Sequence, residues 1–428
     1  TNETARYKFF NPREGWVFFS IDTTSENPSA TLDNSKSLVF RKNPETSAKE
    51  AMQFLPKGEH TLVVTQAENS HVIVRSIPEL IYSDHPSAPH IEAYGAYDWD
   101  NYLSKYVLPN VNTIVTSATM ADSERDLWTK EGRKWIVHAG LPGLSDTAPP
   151  AVEEVYETWS KSPGTIDSNL NGIIVDEFMH GGSRTATHFK VWKDALTSLY
   201  KNPDFSNKRF YAYCTPIFGD PTAMAIPFGK ELVRNGGCFA IERYLNEMPT
   251  EEKAYNFLFD ELSHTYKTMT KNLGVNGQKW VIALGYLTDF TETLNYYPFV
   301  DYRVYMDMQM HLLATDPAFF DLYGIQEYKA DYADEELIRW AHKLYRHYFI
   351  EGKRTRYTDD PYLLPHIKNS FFEQGLENWT VEQAEEGSIE PQSMDGYSWL
   401  QGLYPRTNIG DQFIRLKRSA QKPNTLRQ

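Results

Sequence analysis

Side chains able to move protons stand at the ends of short apolar runs in this chain. Gly172-Ile173-Ile174-Val175 leads into Asp176-Glu177-Phe178, Phe239-Ala240-Ile241 into Glu242-Arg243, and Gly324-Ile325-Gln326 into Glu327-Tyr328. Glu92, with Asp98 and Asp100 beyond it, and His138 occupy similar positions earlier in the sequence. A single carboxylate at such a place most simply caps a helix or pairs with Arg or Lys. Two in succession after three β-branched residues are harder to dismiss, because ionised groups beside an apolar interior are costly without a partner or a task. Carboxyl groups of unequal pKa can divide acid and base work between them. One protonates a leaving oxygen while the other attacks or activates water, which is what cleavage of a glycosidic bond requires.

On that chemistry Asp176 is the candidate nucleophile or orienting base and Glu242 the candidate acid/base. Glu177 is the main substitute for either role, and Glu327 follows as a partner suited to a wider, water-filled gap. Side chains alternate along a strand, so one of Asp176 and Glu177 should face inward; the sequence leaves open which. Candidate substrate-binding groups are Glu92, Tyr94, Tyr97, Trp99, His138, Phe178, His180, Arg243, Tyr244, Tyr286 and Tyr328. Aromatic rings near strand ends can stack on sugar rings, although half of them are expected to be ordinary packing residues. Arg243 could hold an anionic sugar substituent or, equally, form a structural ion pair.

The elements that must position these groups repeat. From about residue 86 to 351, short apolar runs alternate with helix-length amphipathic stretches. The expected strands are His90–Tyr94, Asn112–Thr116, Lys134–Ala139, Gly172–Glu177, Arg209–Cys214, Cys238–Glu242, Lys279–Gly285 and Tyr323–Tyr328. Nearly continuous apolar strands are the mark of a parallel sheet buried on both faces. Eight β-then-α units of this total length predict an α/β fold, a closed (β/α)8 TIM barrel, whose active site lies at the C-terminal ends of its strands. An open doubly wound sheet would carry a Gly-rich phosphate turn, and neither G-x-G-x-x-G nor G-x-x-x-x-G-K-[ST] occurs. Flanking the barrel, residues 1–85 read as a small β-sandwich-like domain, 352–368 as a linker and 369–428 as a partial β module.

Composition narrows the function classes. The 428 residues carry 43 Lys and Arg against 57 Asp and Glu, a formal net charge of −14, with no basic block. A nucleic-acid partner is therefore not expected. No apolar run is long enough to span a membrane. The 27 Tyr, 23 Phe and 10 Trp supply a large aromatic core and a surplus for stacking. Cys214 and Cys238 fall at opposite ends of neighbouring strands and should be buried thiols. Absence of H-E-x-x-H, paired C-x-x-C, H-x-H and G-x-S-x-G leaves no expected metal, cofactor or serine nucleophile. The start, Thr1-Asn2-Glu3-Thr4, reads as a mature or trimmed end that hides the compartment. With a signal peptide taken as removed, a secreted or periplasmic location is the expectation for a chain acting on polysaccharide, and a monomer or weak oligomer the expected state.

Two resemblances sharpen this reading. The Asp176-Glu177 pair at the end of the fourth strand resembles several glycoside hydrolase barrels. In some of these the Glu is the acid/base, and in others the strand-four Asp is the nucleophile with an acid on strand six. Asn369-Ser370-Phe371-Phe372-Glu373-Gln374-Gly375-Leu376-Glu377-Asn378-Trp379 resembles the opening of jelly-roll carbohydrate-binding modules, over about 60 residues. The resemblance implies an enzyme acting on a poly- or oligosaccharide. The alternatives are a non-catalytic carbohydrate-binding barrel, or a metal-dependent hydrolase or lyase using the same acidic ring.

Overall fold

The computed structural model describes residues 4–23, 28–33, 36–43, 45–65, 70–84, 97–116, 122–144, 146–179, 184–288, 293–328, 333, 335–370, 372–393, 412–420 and 422–428. Eight strands open the chain: β1 (Thr4–Asn11), β2 (Gly15–Asp22), β3 (Ser29–Leu32), β4 (Lys36–Ser37), β5 (Arg41–Lys42), β6 (Lys49–Leu55), β7 (Gly58–Thr65) and β8 (His71–Ile77). They form two antiparallel sheets, ordered β1-β7-β3-β4 and β5-β6-β2-β8. Ala30, Leu32, Leu62 and Val64 of one sheet share a buried core with Val17, Phe19, Ile21 and Ala51 of the other. The unit is therefore a two-sheet sandwich.

The next eight strands close into a parallel barrel. They are β9 (Glu79–Asp84), β10 (Thr113–Thr116), β11 (Lys134–Ala139), β12 (Gly172–Phe178), β13 (Arg209–Cys214), β14 (Cys238–Arg243), β15 (Trp280–Gly285) and β16 (Gly324–Tyr328). One expectation is corrected here. The first barrel strand is β9, paired with β10 and β16, whereas the expected strand His90–Tyr94 lies outside the described residues. Only Pro78 separates β8 from β9, so the two read as one β-rich stretch, and sandwich gives way to barrel at Pro78 rather than after residue 85.

Helices α1 (Asp122–Lys130), α2 (Val152–Ser160), α3 (Pro163–Ile166), α4 (Ala186–Leu199), α5 (Ile226–Arg234), α6 (Glu251–Leu258), α7 (Thr265–Leu273), α8 (Tyr302–Thr315) and α9 (Glu335–Tyr345) lie among and after these strands. Strand alternation sorts the side chains into two cores. Ile81, Val115, Ile136, Ile174, Tyr211, Tyr213, Ala240, Val281 and Ala283 form one cluster on the barrel axis. Ile173, Val175, Phe210, Ile241, Ile282 and Ile325, one residue out of step, pack with Trp159 and Trp192 in the surrounding layer. Both faces of the strands are apolar because both are covered.

The N-terminal end of the barrel is plugged. Buried Glu79 accepts hydrogen bonds from Thr113 Oγ1 at 2.8 Å and Tyr211 OH at 2.7 Å, and Lys134 Nζ lies 3.5 Å from it. Trp16 and Phe54 of the sandwich cover this network. Arg346, just after α9, holds both oxygens of sandwich residue Glu50 at 3.1 and 2.8 Å. That end is thus committed to structure, leaving the other for chemistry. Residues 352–368 pack on the barrel rather than hanging free: Tyr362 is buried, and its OH donates to the Met248 carbonyl at 2.6 Å.

In the C-terminal unit the described strands pair as β17 (Thr380–Glu382) with β20 (Thr425–Arg427), and β18 (Ile389–Ser393) with β19 (Gln412–Leu416). Cys214 and Cys238 are buried free thiols.

Gly172 opens the strand that carries Asp176. Its φ is +146°, and a Cβ there would lie 2.0 Å from the Arg209 carbonyl oxygen. The obstacle is backbone of the neighbouring strand, so it cannot rotate away. Gly172→Ala is expected to cost more than about 2 kcal/mol, measured as the loss of unfolding free energy in urea.

Candidate active site

Parity within the barrel decides which side chains reach the axis. Continuing two residues beyond the axial cluster toward the C-terminal end brings in Ser83 on β9, His138 on β11, Asp176 on β12 and Glu242 on β14. Tyr213 of β13 belongs to the axial cluster and lies on the strand between those bearing Asp176 and Glu242. Gln326 takes the inward place on β16 and donates to Ser83 Oγ at 2.9 Å.

Asp176, Glu177 and Glu242 are brought together. The Glu242 carboxyl is pushed up to about 8, first by burial and then by repulsion from Asp176 and Glu177. Asp176 is pushed up to about 6, again chiefly by burial, with the Glu177 backbone N–H opposing the rise and the Glu177 charge adding to it. That N–H donates to Asp176 Oδ1 at 2.6 Å. Two carboxyls with proton affinities raised above their usual range by one half-buried, acidic environment are the signature of a site that holds a proton near neutrality.

A bulge explains how consecutive residues both reach the mouth. Val175 pairs with Ala212 and Phe178 with Cys214, so β12 contains one residue more than its neighbour over this stretch. The extra residue is accommodated at Glu177, whose φ is +74°. Without the bulge Glu177 would share the outward parity of Val175; with it, Phe178 takes that outward place. A side chain with a Cβ is strained in this region by about 1–2 kcal/mol. Strain of this kind persists at positions where the rest of the structure imposes it, and it concentrates at functional sites. Glu177→Gly is therefore expected to leave the thermal midpoint unchanged or raise it, whereas Glu177→Val lowers it; paired thermal melts check both.

Three tyrosines wall the same end. Tyr213 OH and Tyr244 OH are 2.7 Å apart, and the Tyr244 ring stacks on Tyr328 at 5.0 Å between centroids and 9° between planes. Burial and the charges of Glu242 and Asp176 hold the Tyr213 hydroxyl neutral, well above the ordinary tyrosine range. His138 pairs in register with Ile174, two residues before Asp176, and burial lowers its imidazole pKa, favouring the neutral ring.

Several sequence candidates are placed elsewhere. Glu327 is 1 % exposed and on the outward face of β16, where it accepts from the Ser83 backbone N–H at 3.3 Å and acts on Tyr286 and Tyr345. Alternation gives the inward position to Gln326, so Glu327 does not join the other carboxylates. Arg243 points outward for the same reason and is paired with Glu261. Phe178 packs between Trp192 and Phe228, and Tyr286 is buried in the outer layer. Trp99 stacks on Trp135 at 6.1 Å, and half-buried Tyr97 packs against Tyr82 and Tyr102. These four rings are packing residues. Glu92, Tyr94 and His180 lie outside the described residues.

Sequence reasoning missed Tyr213, Ser83 and Gln326. Tyr213 could have been found by carrying the parity of Tyr211 one step along β13. Ser83 could not, because its strand was placed about ten residues too late.

The chain matches no protein-family model, and no curated protein matches it in sequence. Among solved structures it is similar to active domain 2 of a thermostable chitinase from Pyrococcus furiosus, at 10 % identity over 63 % of this chain and 95 % of that one, with a TM-score of 0.41. It is also similar to an endo-β-N-acetylglucosaminidase from Cordyceps militaris, at 14 % identity over 63 % and 90 %, with a TM-score of 0.39. A third is a β-galacturonidase from Eisenbergiella tayi, at 10 % identity over 80 % and 69 %, with a TM-score of 0.41.

Proposed function

We propose that this chain is a glycoside hydrolase that cleaves glycosidic bonds of a poly- or oligosaccharide with two carboxyl groups at the C-terminal mouth of its barrel. Glu242 is the proton donor to the leaving oxygen. Asp176, the more acidic of the two raised carboxyls, acts as nucleophile or activates water, and Glu177 is the substitute for that role. The observation that carries this reading is the Glu242 carboxyl, pushed up to about 8 by burial and by two other carboxylates at the same end of β12, one strand removed. Tyr244 and Tyr328, stacked face to face at the same end, offer an aromatic wall for a sugar ring.

A non-catalytic barrel would be expected to neutralise its acids with cations. Among the described residues, no Lys or Arg enters the electrostatics of Asp176 or Glu242, which favours the catalytic reading. The test is release of reducing ends from a panel of natural polysaccharides, with Asp176→Asn and Glu242→Gln as controls. Release by the wild-type chain and its loss in both variants is the expected result. Release that survives in both variants would remove the proposal, and loss on adding a chelator would move it to metal chemistry. On a cleaved substrate, a retained anomer would mean a carboxyl separation of ~5–5.5 Å in the complex, and an inverted one ~6.5–9.5 Å.

A further inference from the structure

The other end of the barrel carries an unassigned cavity of about 270 Å3 where sandwich and barrel meet. Four cations line it: Arg13 from the β1–β2 turn, Arg75 from β8, and Lys353 and Arg354 from the segment after α9. No carboxylate lines it among the described residues. Lys353 pairs with Glu351 at 2.8 Å, and Asp321 acts on Arg13 from outside the lining. Neither Arg75 nor Arg354 has a carboxylate within 4 Å among the described residues, in a chain whose net charge is −14. Four like charges with carboxylate partners for only two of them repel one another, and a bound anion relieves that cost.

The backbone is shaped around this cluster. Gly352 has φ +68°, and a Cβ on it would lie 1.7 Å from Arg75 Nη1. The left-handed backbone favours glycine here, and the absence of a side chain leaves room for the end of Arg75 at the cavity edge. Arg354 is held over the Phe320 ring at 5.0 Å, and its carbonyl accepts from His311 Nε2 at 3.0 Å. Phe349 and the 53 % exposed Phe320 line the same cavity and give it an apolar side. Planar guanidinium groups set beside apolar rings around a small cavity match a tetrahedral oxyanion carried on a compact organic body.

We propose that this cavity is a second binding site, for a sulfate or phosphate group, either as the free anion or as the ester of a sugar. It opens where β9 and β16 begin, so it lies a strand's length, roughly 20 Å, from the Asp176 and Glu242 end. The inference does not depend on the catalytic reading.

Isothermal titration calorimetry of the full chain tests it, with inorganic sulfate, inorganic phosphate and glucose 6-sulfate as probes and sodium chloride at matched ionic strength as reference. Saturable binding of at least one probe is expected, weakened at least about tenfold in Arg75→Met and in Arg354→Met. Gly352→Ala should weaken it similarly by displacing Arg75 without removing a charge. Tighter binding of the sugar sulfate than of both inorganic ions assigns the site to an ester, and equal binding assigns it to the free anion. Heats that fail to saturate with every probe, or that saturate identically in the two Arg variants, overturn the proposal; melting curves of the variants confirm that each is folded.

Discussion

Glu242→Gln is expected to lower kcat/KM on the cleaved glycan by about 10²–10⁴-fold, the range over which positioned proton transfer accelerates reactions. The wild-type profile against pH should be a bell. Its acid limb follows ionisation of Asp176 near 6, and its alkaline limb follows loss of the Glu242 proton near 8. Because the groups repel each other, these limbs belong to the pair, and replacing either member moves the limb that remains. The amide at position 242 removes the alkaline limb. Removing the charge at 176 lets Glu242 ionise at lower pH, so in Asp176→Asn any residual activity should fall off earlier on the alkaline side. Rates and limbs unchanged in both variants would take Glu242 and Asp176 out of the chemistry.

The same variant is expected to gain stability, in a pH-dependent way. Glu242 has a folded-state pKa of about 8 against an ordinary 4.5. Between those values the folded chain keeps a proton that the unfolded chain has released, so stability falls as pH rises through the window. The penalty is absent below about 4.5 and complete above about 8. Asp176 adds a smaller penalty of the same sign between 3.8 and about 6. Glutamine at 242 carries no charge to bury, so Glu242→Gln should be more stable than wild type at pH 8.5 by on the order of 2–4 kcal/mol and equally stable at pH 4. Chemical denaturation at the two pH values checks this. It requires no substrate, and it separates a site that sacrifices stability for reactivity from one whose carboxylates are merely solvated.

Much of this architecture was legible before any coordinates. Seven of the eight barrel strands lie within a residue or two of their apolar runs, because a parallel strand covered on both sides must be apolar throughout. The eighth was misplaced because β9, Glu-Leu-Ile-Tyr-Ser-Asp, follows β8 across a single proline and carries no helix to set it apart. β6, Lys-Glu-Ala-Met-Gln-Phe-Leu, has no β-branched residue and becomes a strand only by pairing with β2 and β5.

At the site, residue type located Asp176, Glu177 and Glu242, but facing required register. Glu327 and Arg243 stand one residue out of phase with the axis, and a two-residue period turns that into the opposite face. The converse holds at Glu177, where a bulge that no local motif announces carries an out-of-phase residue to the mouth. Aromatic residues were the least legible, since Phe178, Trp99 and Tyr286 serve the helix layer as well as they would have served a sugar.

The most direct measurement is a carbon-13 NMR titration of the glutamate side-chain carboxyls, with Glu242 assigned by comparison with Glu242→Gln. The structure predicts a Glu242 resonance titrating near 8 in the wild-type chain and shifting to lower pH in Asp176→Asn, as repulsion from its neighbour is lost. A Glu242 carboxyl that titrates near the ordinary 4.5, indifferent to the charge at position 176, would contradict the account.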